Sequence, residues 1–334
     1  MDRKKIKSDY AWLGFSFFLF VIALEVSSYF ILFLIRKNNI DFQNNSWLTF
    51  ILGLAPIWAV GFPVCLAVIS RLKSKKPEEN KIEVKSMFKF YFVVAFVMMA
   101  TNILGIIITA IIEKAAGITI ENSTIDLISK QKILPSIIFA VILGPILEEL
   151  AFRKVIIDKL GQYSKKYTIL LSGIMFGLFH TNLHQFFYAT AIGIVFAYVY
   201  TISGKIRYSI ILHSTVNFIS GILPMAIIKH LDLEAIQKVA EAEPTDQAAQ
   251  QAALALYSDP AFLGFLGYLA MMGLILLIGF ILFFDFIKNL KVDDTESPLK
   301  GKGAGRAAFF NWGIILFIII SVAVTVVEII GMNR

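Results

Sequence analysis

The chain has 334 residues, 57% of them hydrophobic and only 16% charged, with a mean hydropathy of +0.75. That balance excludes a soluble globular protein and predicts an all-α polytopic membrane protein. The formal charge of +7 is spread in short clusters between apolar runs. It therefore suits an anionic bilayer surface rather than nucleic acid.

Nine apolar segments follow one another, at roughly 11–35, 47–70, 88–112, 132–150, 167–180, 185–203, 208–228, 261–286 and 308–330. A helix needs about 20 residues to cross the hydrocarbon core, so the fifth segment is short. The expectation is about nine transmembrane helices, or eight without that one. The first segment, of about 25 residues, is too long for the apolar region of a cleavable signal peptide. MDRKKIK holds four Lys or Arg, RLKSKKPEENKIEVK six and RKVIIDKLGQYSKKY five; GKIR and the link after the eighth segment continue the series. The alternation puts the N-terminus in the cytoplasm and the C-terminus outside. LEAIQKVAEAE reads as a short surface helix in an outer loop, and SPLKGKGAG as a flexible inner turn. The chain divides into an N-terminal region of three spans (1–131), a core (132–228), an extracytoplasmic loop (229–260) and two C-terminal spans (261–334). Cys65, the one cysteine, allows no internal disulfide.

Polar residues concentrate in three places. In GPILEELAFR, Pro145 kinks the helix about one turn before the glutamates. Glu149 and Arg153 are four residues apart and can pair, whereas Glu148 points about 100° away. One carboxylate is then structural and the other free for chemistry. In GIMFGLFHTNLH, Gly173 and Gly177 admit a close neighbour. Phe176 and His180 share a face, and His180 and His184 have metal-ligand spacing. In IRYSIILHSTVNFISG, His213 and Asn217 are again four apart. Each set also has a bland reading: an interfacial charge cluster, a polar helix end, or interhelical glue. Glu25, in the middle of the first span, is read first as a structural acid near Ser27 or Ser28. Together the three sets support hydrolysis, in which Glu and His activate water while His and Asn stabilise an oxyanion. They equally suit a proton or cation pathway in a transporter.

Glu148-Glu149-xxx-Arg153, Phe176-xxx-His180 and His213-xxx-Asn217, in that order on apolar segments, resemble the CPBP intramembrane proteases. These include CAAX prenyl proteases and bacteriocin-processing enzymes and are also called the Abi family. The resemblance covers about 133–228. It implies a helical core around a water-filled cavity, with Glu148 and His180 activating water, His213 and Asn217 forming the oxyanion site, and Glu149 and Arg153 in support. It implies a peptide or membrane-protein substrate in a bacterial plasma membrane, where a prenylated CAAX substrate is the less expected one. A contact-acting immunity protein on the same scaffold is a further alternative. The expected mechanism uses no metal. The alternative is zinc held by Glu148, His180, His184 and His213. With inner ends near Lys159, Lys165 and Arg207, Glu148 would lie about 17 Å deep, His180 about 23 Å and His213 about 9 Å, at about 1.5 Å per residue. Tilt, the kink or displaced helix ends must close that gap.

Overall fold

A computed structural model describes residues 2–42, 44–120, 131–241 and 247–332. With each π-interrupted helix taken as one, these residues form twelve helices. They are α1 (Arg3–Lys37), α2 (Ser46–Ile69), α3 (Val84–Ala116), α4 (Ile133–Leu160), α5 (Lys165–Phe179), α6 (Leu183–Ser203) and α7 (Ile206–Ile228), followed by α8 (Leu233–Glu241), α9 (Gln247–Ser258), α10 (Pro260–Lys288), α11 (Ala304–Phe309) and α12 (Trp312–Met332). No strand occurs among the described residues. The expected surface helix in LEAIQKVAEAE is α8; residues 242–246 of the acidic outer stretch lie outside the described residues.

Eight of these helices are long and apolar enough to cross a membrane, against the nine segments counted from the sequence. The difference is α5. Its 15 residues extend about 22 Å, short of a roughly 30 Å hydrocarbon core. It is nevertheless deeply buried, packed chiefly against α6 and also touching α4, α11 and α12. Gly173 and Gly177 explain the close approach: a Cβ on Gly173 would lie 2.8 Å from the Ile194 nitrogen, and one on Gly177 2.7 Å from the Phe186 carbonyl oxygen. Non-helical backbone within a bilayer survives only when buried and hydrogen-bonded. In the α5–α6 turn, which is partly buried, Asn182 caps α6 by accepting from the Gln185 amide.

One cluster of buried apolar side chains joins regions far apart in sequence, including Phe17, Phe152, Phe176, Phe196 and Phe317. The Lys- and Arg-rich connections gather at one end. The non-helical strap 73–83 bonds through the Lys75 amide to the Asp158 carbonyl (2.7 Å) and through the Asn80 amide to the Ser203 carbonyl (2.8 Å). Gly204, at φ 61°, lies so close beneath the strap that a Cβ would sit 2.5 Å from the Glu78 oxygen. The SPLKGKGAG link, expected to be a flexible turn, is instead docked. Leu299 is buried and its amide bonds the Tyr163 carbonyl, and Arg3 donates to the Lys300 and Lys302 carbonyls. Apolar Leu299 and Ala304 give the link something to bury, which its glycines and lysines obscure.

Three prolines in the spans follow a common pattern. Pro63, Pro145 and Pro224 each come just after a π-helical stretch: Pro56–Gly61, Ile137–Leu143 and Phe218–Ile222. A proline ring clashes with the carbonyl four residues back and offers it no N–H. Widening the preceding turn shifts the ladder to five residues back, as Phe62 to Ile57, Gly144 to Phe139 and Leu223 to Phe218 show. The next carbonyl in line then lacks a donor. For Pro145 this is Ala140, which receives the Asn217 Nδ2 at 2.9 Å; for Pro224 it is Ile219, which receives the Tyr268 hydroxyl at 3.3 Å.

The α5–α6 seam gives a direct test. Gly173→Val should cost about 1–3 kcal/mol through overpacking, whereas Gly267→Ala, which faces open space, should be neutral or slightly stabilising. Thermal unfolding in detergent should show a clear drop in midpoint for the first and none for the second.

Candidate active site

The site is assembled from α4, α5 and α7, with α6 closing one side. Glu148 and Glu149 end a short α-helical stretch, Gly144–Glu149, that lies between two π turns, Ile137–Leu143 and Leu150–Val155. Such turns re-aim side chains and recur at functional sites.

Glu149 and Arg153 are both fully buried. Arg153 Nε donates to Glu149 Oε2 at 3.1 Å, so the expected pair forms within the helix. Arg153 Nη1 donates to the Ser172 hydroxyl at 3.2 Å, which in turn donates to the Phe152 carbonyl at 2.7 Å. The guanidinium lies 4.4 Å from the centroid of the Phe176 ring, a cation–π contact that supplies further electrostatic support. The other Glu149 oxygen accepts from His213 Nδ1 at 3.0 Å. Glu149 is thus held from two helices.

Glu148 differs in both position and company. Its side chain keeps 32% of its surface accessible, and its Oε2 lies 3.6 Å from His213 Nε2. That separation is longer than a direct hydrogen bond and suits a bridging water. His213 therefore stands between the two carboxylates, with Nδ1 on the buried one and Nε2 toward the accessible one. Its ring stacks on Phe196 at 5.2 Å.

His180 caps the C-terminal end of α5, and its Nδ1 bonds the Phe176 carbonyl at 2.7 Å. A carbonyl only accepts, so Nδ1 carries the proton and Nε2 is left for other partners. Phe176 meets both histidines edge-on, at 4.6 Å to His180 and 5.7 Å to His213. Residues whose calculated depths differ widely are in this way brought together around one phenylalanine.

Two expected members are engaged elsewhere. Asn217 was paired with His213 by spacing, but its amide nitrogen donates to the Ala140 carbonyl, the one orphaned by Pro145. The Pro145 ring was visible in the sequence; its donor, 72 positions later, was not. His184 bonds the Ile120 carbonyl through Nε2 at 2.9 Å, beside the end of α3. Of the four residues proposed as zinc ligands, His184 thus has one ring nitrogen engaged by backbone. Among the described residues no three His, Cys, Asp or Glu side chains gather as a metal-ligand set. Glu25 joins none of these contacts; Ser27 donates to the Ala23 carbonyl.

Residues missed by sequence reading are Ser172, Phe196 and Ala140. A serine one position before Gly173, on the face that approaches α4, was the available signal for the first.

Residues 130–219 match the family of type II CAAX prenyl endopeptidases, Rce1-like. This stretch is thus similar to the CPBP family. The matched stretch contains every residue of the cluster just described. YdiL of Bacillus subtilis strain 168 is 32% identical over 111 residues, covering 33% of this chain and 46% of YdiL. The membrane-embedded CAAX protease MroQ of Staphylococcus aureus strain USA300 is 28% identical over 187 residues, covering 52% of this chain and 72% of MroQ. The CPBP match thus spans less than half the length of YdiL. No solved structure matches the chain. With its apolar helices and bacterial relatives, the chain is a multi-pass membrane protein.

If Asn217 acts by supplying the donor that Pro145 withholds, Asn217→Ala should lose about 1–3 kcal/mol of stability from the orphaned carbonyl. Pro145→Ala restores a backbone N–H at that position. In a double-mutant cycle read by thermal unfolding, Asn217→Ala should therefore cost much less in the Pro145→Ala background. Equal costs in both backgrounds would show that the bond to Ala140 is incidental.

Proposed function

We propose that this protein is an intramembrane endopeptidase that hydrolyses a peptide bond of a membrane protein or membrane-associated peptide. What supports this most is the division between the two carboxylates: Glu149 is buried and partnered, while Glu148 is accessible beside His213. An accessible carboxylate on an apolar wall is suited to take a proton from water. Glu148 and His180 hold the water; Glu148 accepts its proton as the oxygen attacks the scissile carbonyl carbon. Negative charge develops on the carbonyl oxygen. His213, when protonated on Nε2, donates to that oxygen, with Glu149 on Nδ1 compensating the ring's positive charge. The second amide hydrogen of Asn217 is available for the same oxygen. Glu148 then passes its proton to the leaving nitrogen as the C–N bond breaks.

Arg153 and Glu149 are positioning residues in this scheme, since neither reaches the accessible side of the site. The substrate class follows from the site's place within the bundle and from the bacterial relatives, one of which is named a CAAX protease. A peptide or membrane protein of the host is favoured over a prenylated one.

The test is a comparison of the membrane proteome and released peptides of wild-type and Glu148→Gln strains. A cleavage product should be present in the first and missing in the second, and missing again with His180→Ala. Unchanged product in both variants would remove the peptidase assignment.

The proposed chemistry uses no metal. Activity of the purified enzyme should survive exhaustive chelation, and His184→Ala should retain most turnover because its ring is engaged with Ile120. Loss on chelation with recovery on adding zinc, at about one zinc per chain, would reverse this part.

A further inference from the structure

At the Lys-rich end, a cleft of about 380 Å³ opens between the strap and the ends of α4, α6 and α7. It is lined by Lys76 and Glu79 of the strap, Lys154 of α4, and Lys205 and Arg207 at the start of α7, with Gly204 on its wall. Four cations from three separate chain segments thus face one cleft that holds one carboxylate.

The charges do not cancel among themselves. Lys76 pairs with Glu79, and Lys154 pairs with Asp158 at 3.1 Å. Lys205 comes only within 4.0 Å of the already paired Glu79. Arg207 has no carboxylate partner among the described residues; its guanidinium rests on the Tyr208 ring, 5.1 Å from the centroid. Glu79 is held below the usual carboxylate range chiefly by Lys76, with Lys205 and Arg207 adding to the effect. Two positive charges remain unmatched around a concave space, and like charges held together repel until an anion joins them.

The wall above the cleft is apolar. Arg207, Ile211 and Phe218 fall on one face of α7 by helical spacing, and Ile211 and Phe218 are exposed. A charged headgroup in the cleft would therefore lead directly to a surface that accepts acyl chains. We propose that this cleft binds the phosphate headgroup of an anionic glycerophospholipid, with its chains lying along α7. Basic pockets between helix ends at the positively charged face suit such headgroups, and guanidinium and ammonium groups suit phosphate oxygens. The bound lipid joins the strap to α4 and α7, about 9 Å along α7 from His213.

The full chain, purified in detergent, is titrated with dioctanoyl phosphatidylglycerol and followed by native mass spectrometry. No peptidase activity is needed for this readout, so its result is separate from that of the proposed reaction. Binding should saturate, should be clearly tighter than for dioctanoyl phosphatidylcholine, and should weaken by about tenfold or more in Lys205→Gln/Arg207→Gln. Lys229→Gln, at the opposite end, should bind as wild type. Arg207→Lys, which keeps the charge and loses the planar fork, provides a milder variant and should weaken binding by a smaller factor. Binding unchanged in both cleft variants would overturn the proposal. Equal binding of inorganic phosphate, with no preference for the lipid, would overturn the lipid assignment and leave a free-anion site.

Discussion

Arg153 is a charged side chain with no exposed surface, set in an apolar bundle. An unpaired charge there would be too costly to keep, so its surroundings must offset it, although its Nη2 has no hydrogen-bond partner among the described residues. Glu149 supplies the opposite charge from the same helix, Ser172 an acceptor from α5, and Phe176 and Phe196 their ring faces. The same Glu149 fixes His213 on α7. One ion pair thus ties the helices together and sets the orientation of the ring that faces Glu148. Removing either partner of such a buried pair costs about 3–5 kcal/mol, more than replacing the pair as a whole. The accessible carboxylate can be spared for chemistry because its neighbour carries the structural load.

Proline supplies the second constraint. The spans tolerate Pro63, Pro145 and Pro224 because each is preceded by a π turn that makes room for the ring. Around Pro145 this has a functional result. The turn sets the direction of the helix just ahead of Glu148 and Glu149, and the freed Ala140 carbonyl draws Asn217 across from α7. A residue that motif spacing places beside His213 is thereby also a brace between the two helices that carry the site.

Local chemistry was legible in the sequence and distant chemistry was not. The spans could be read from apolar length, and the Glu149–Arg153 pair from four-residue spacing, because both depend on neighbours along the chain. The Gly173–Gly177 pair correctly announced a close helix partner. The short fifth segment could be seen but not explained, since only packing inside the bundle shows how a 15-residue helix is sheltered. The docked SPLKGKGAG link and the strap were hidden because their bonds run to residues far away, such as Tyr163, Asp158 and Ser203. His184 had the spacing of a ligand, yet its partner is the Ile120 carbonyl, which no side-chain pattern records.

The account depends most on the two adjacent glutamates having separate tasks. Glu148→Gln and Glu149→Gln, each purified and measured for both thermal unfolding and single-turnover cleavage of a substrate identified in cells, separate those tasks. The account predicts that Glu148→Gln unfolds at the wild-type temperature with no detectable cleavage, while Glu149→Gln loses stability because Arg153 is left without its counter-charge. Full cleavage by Glu148→Gln, or wild-type stability of Glu149→Gln, would contradict it.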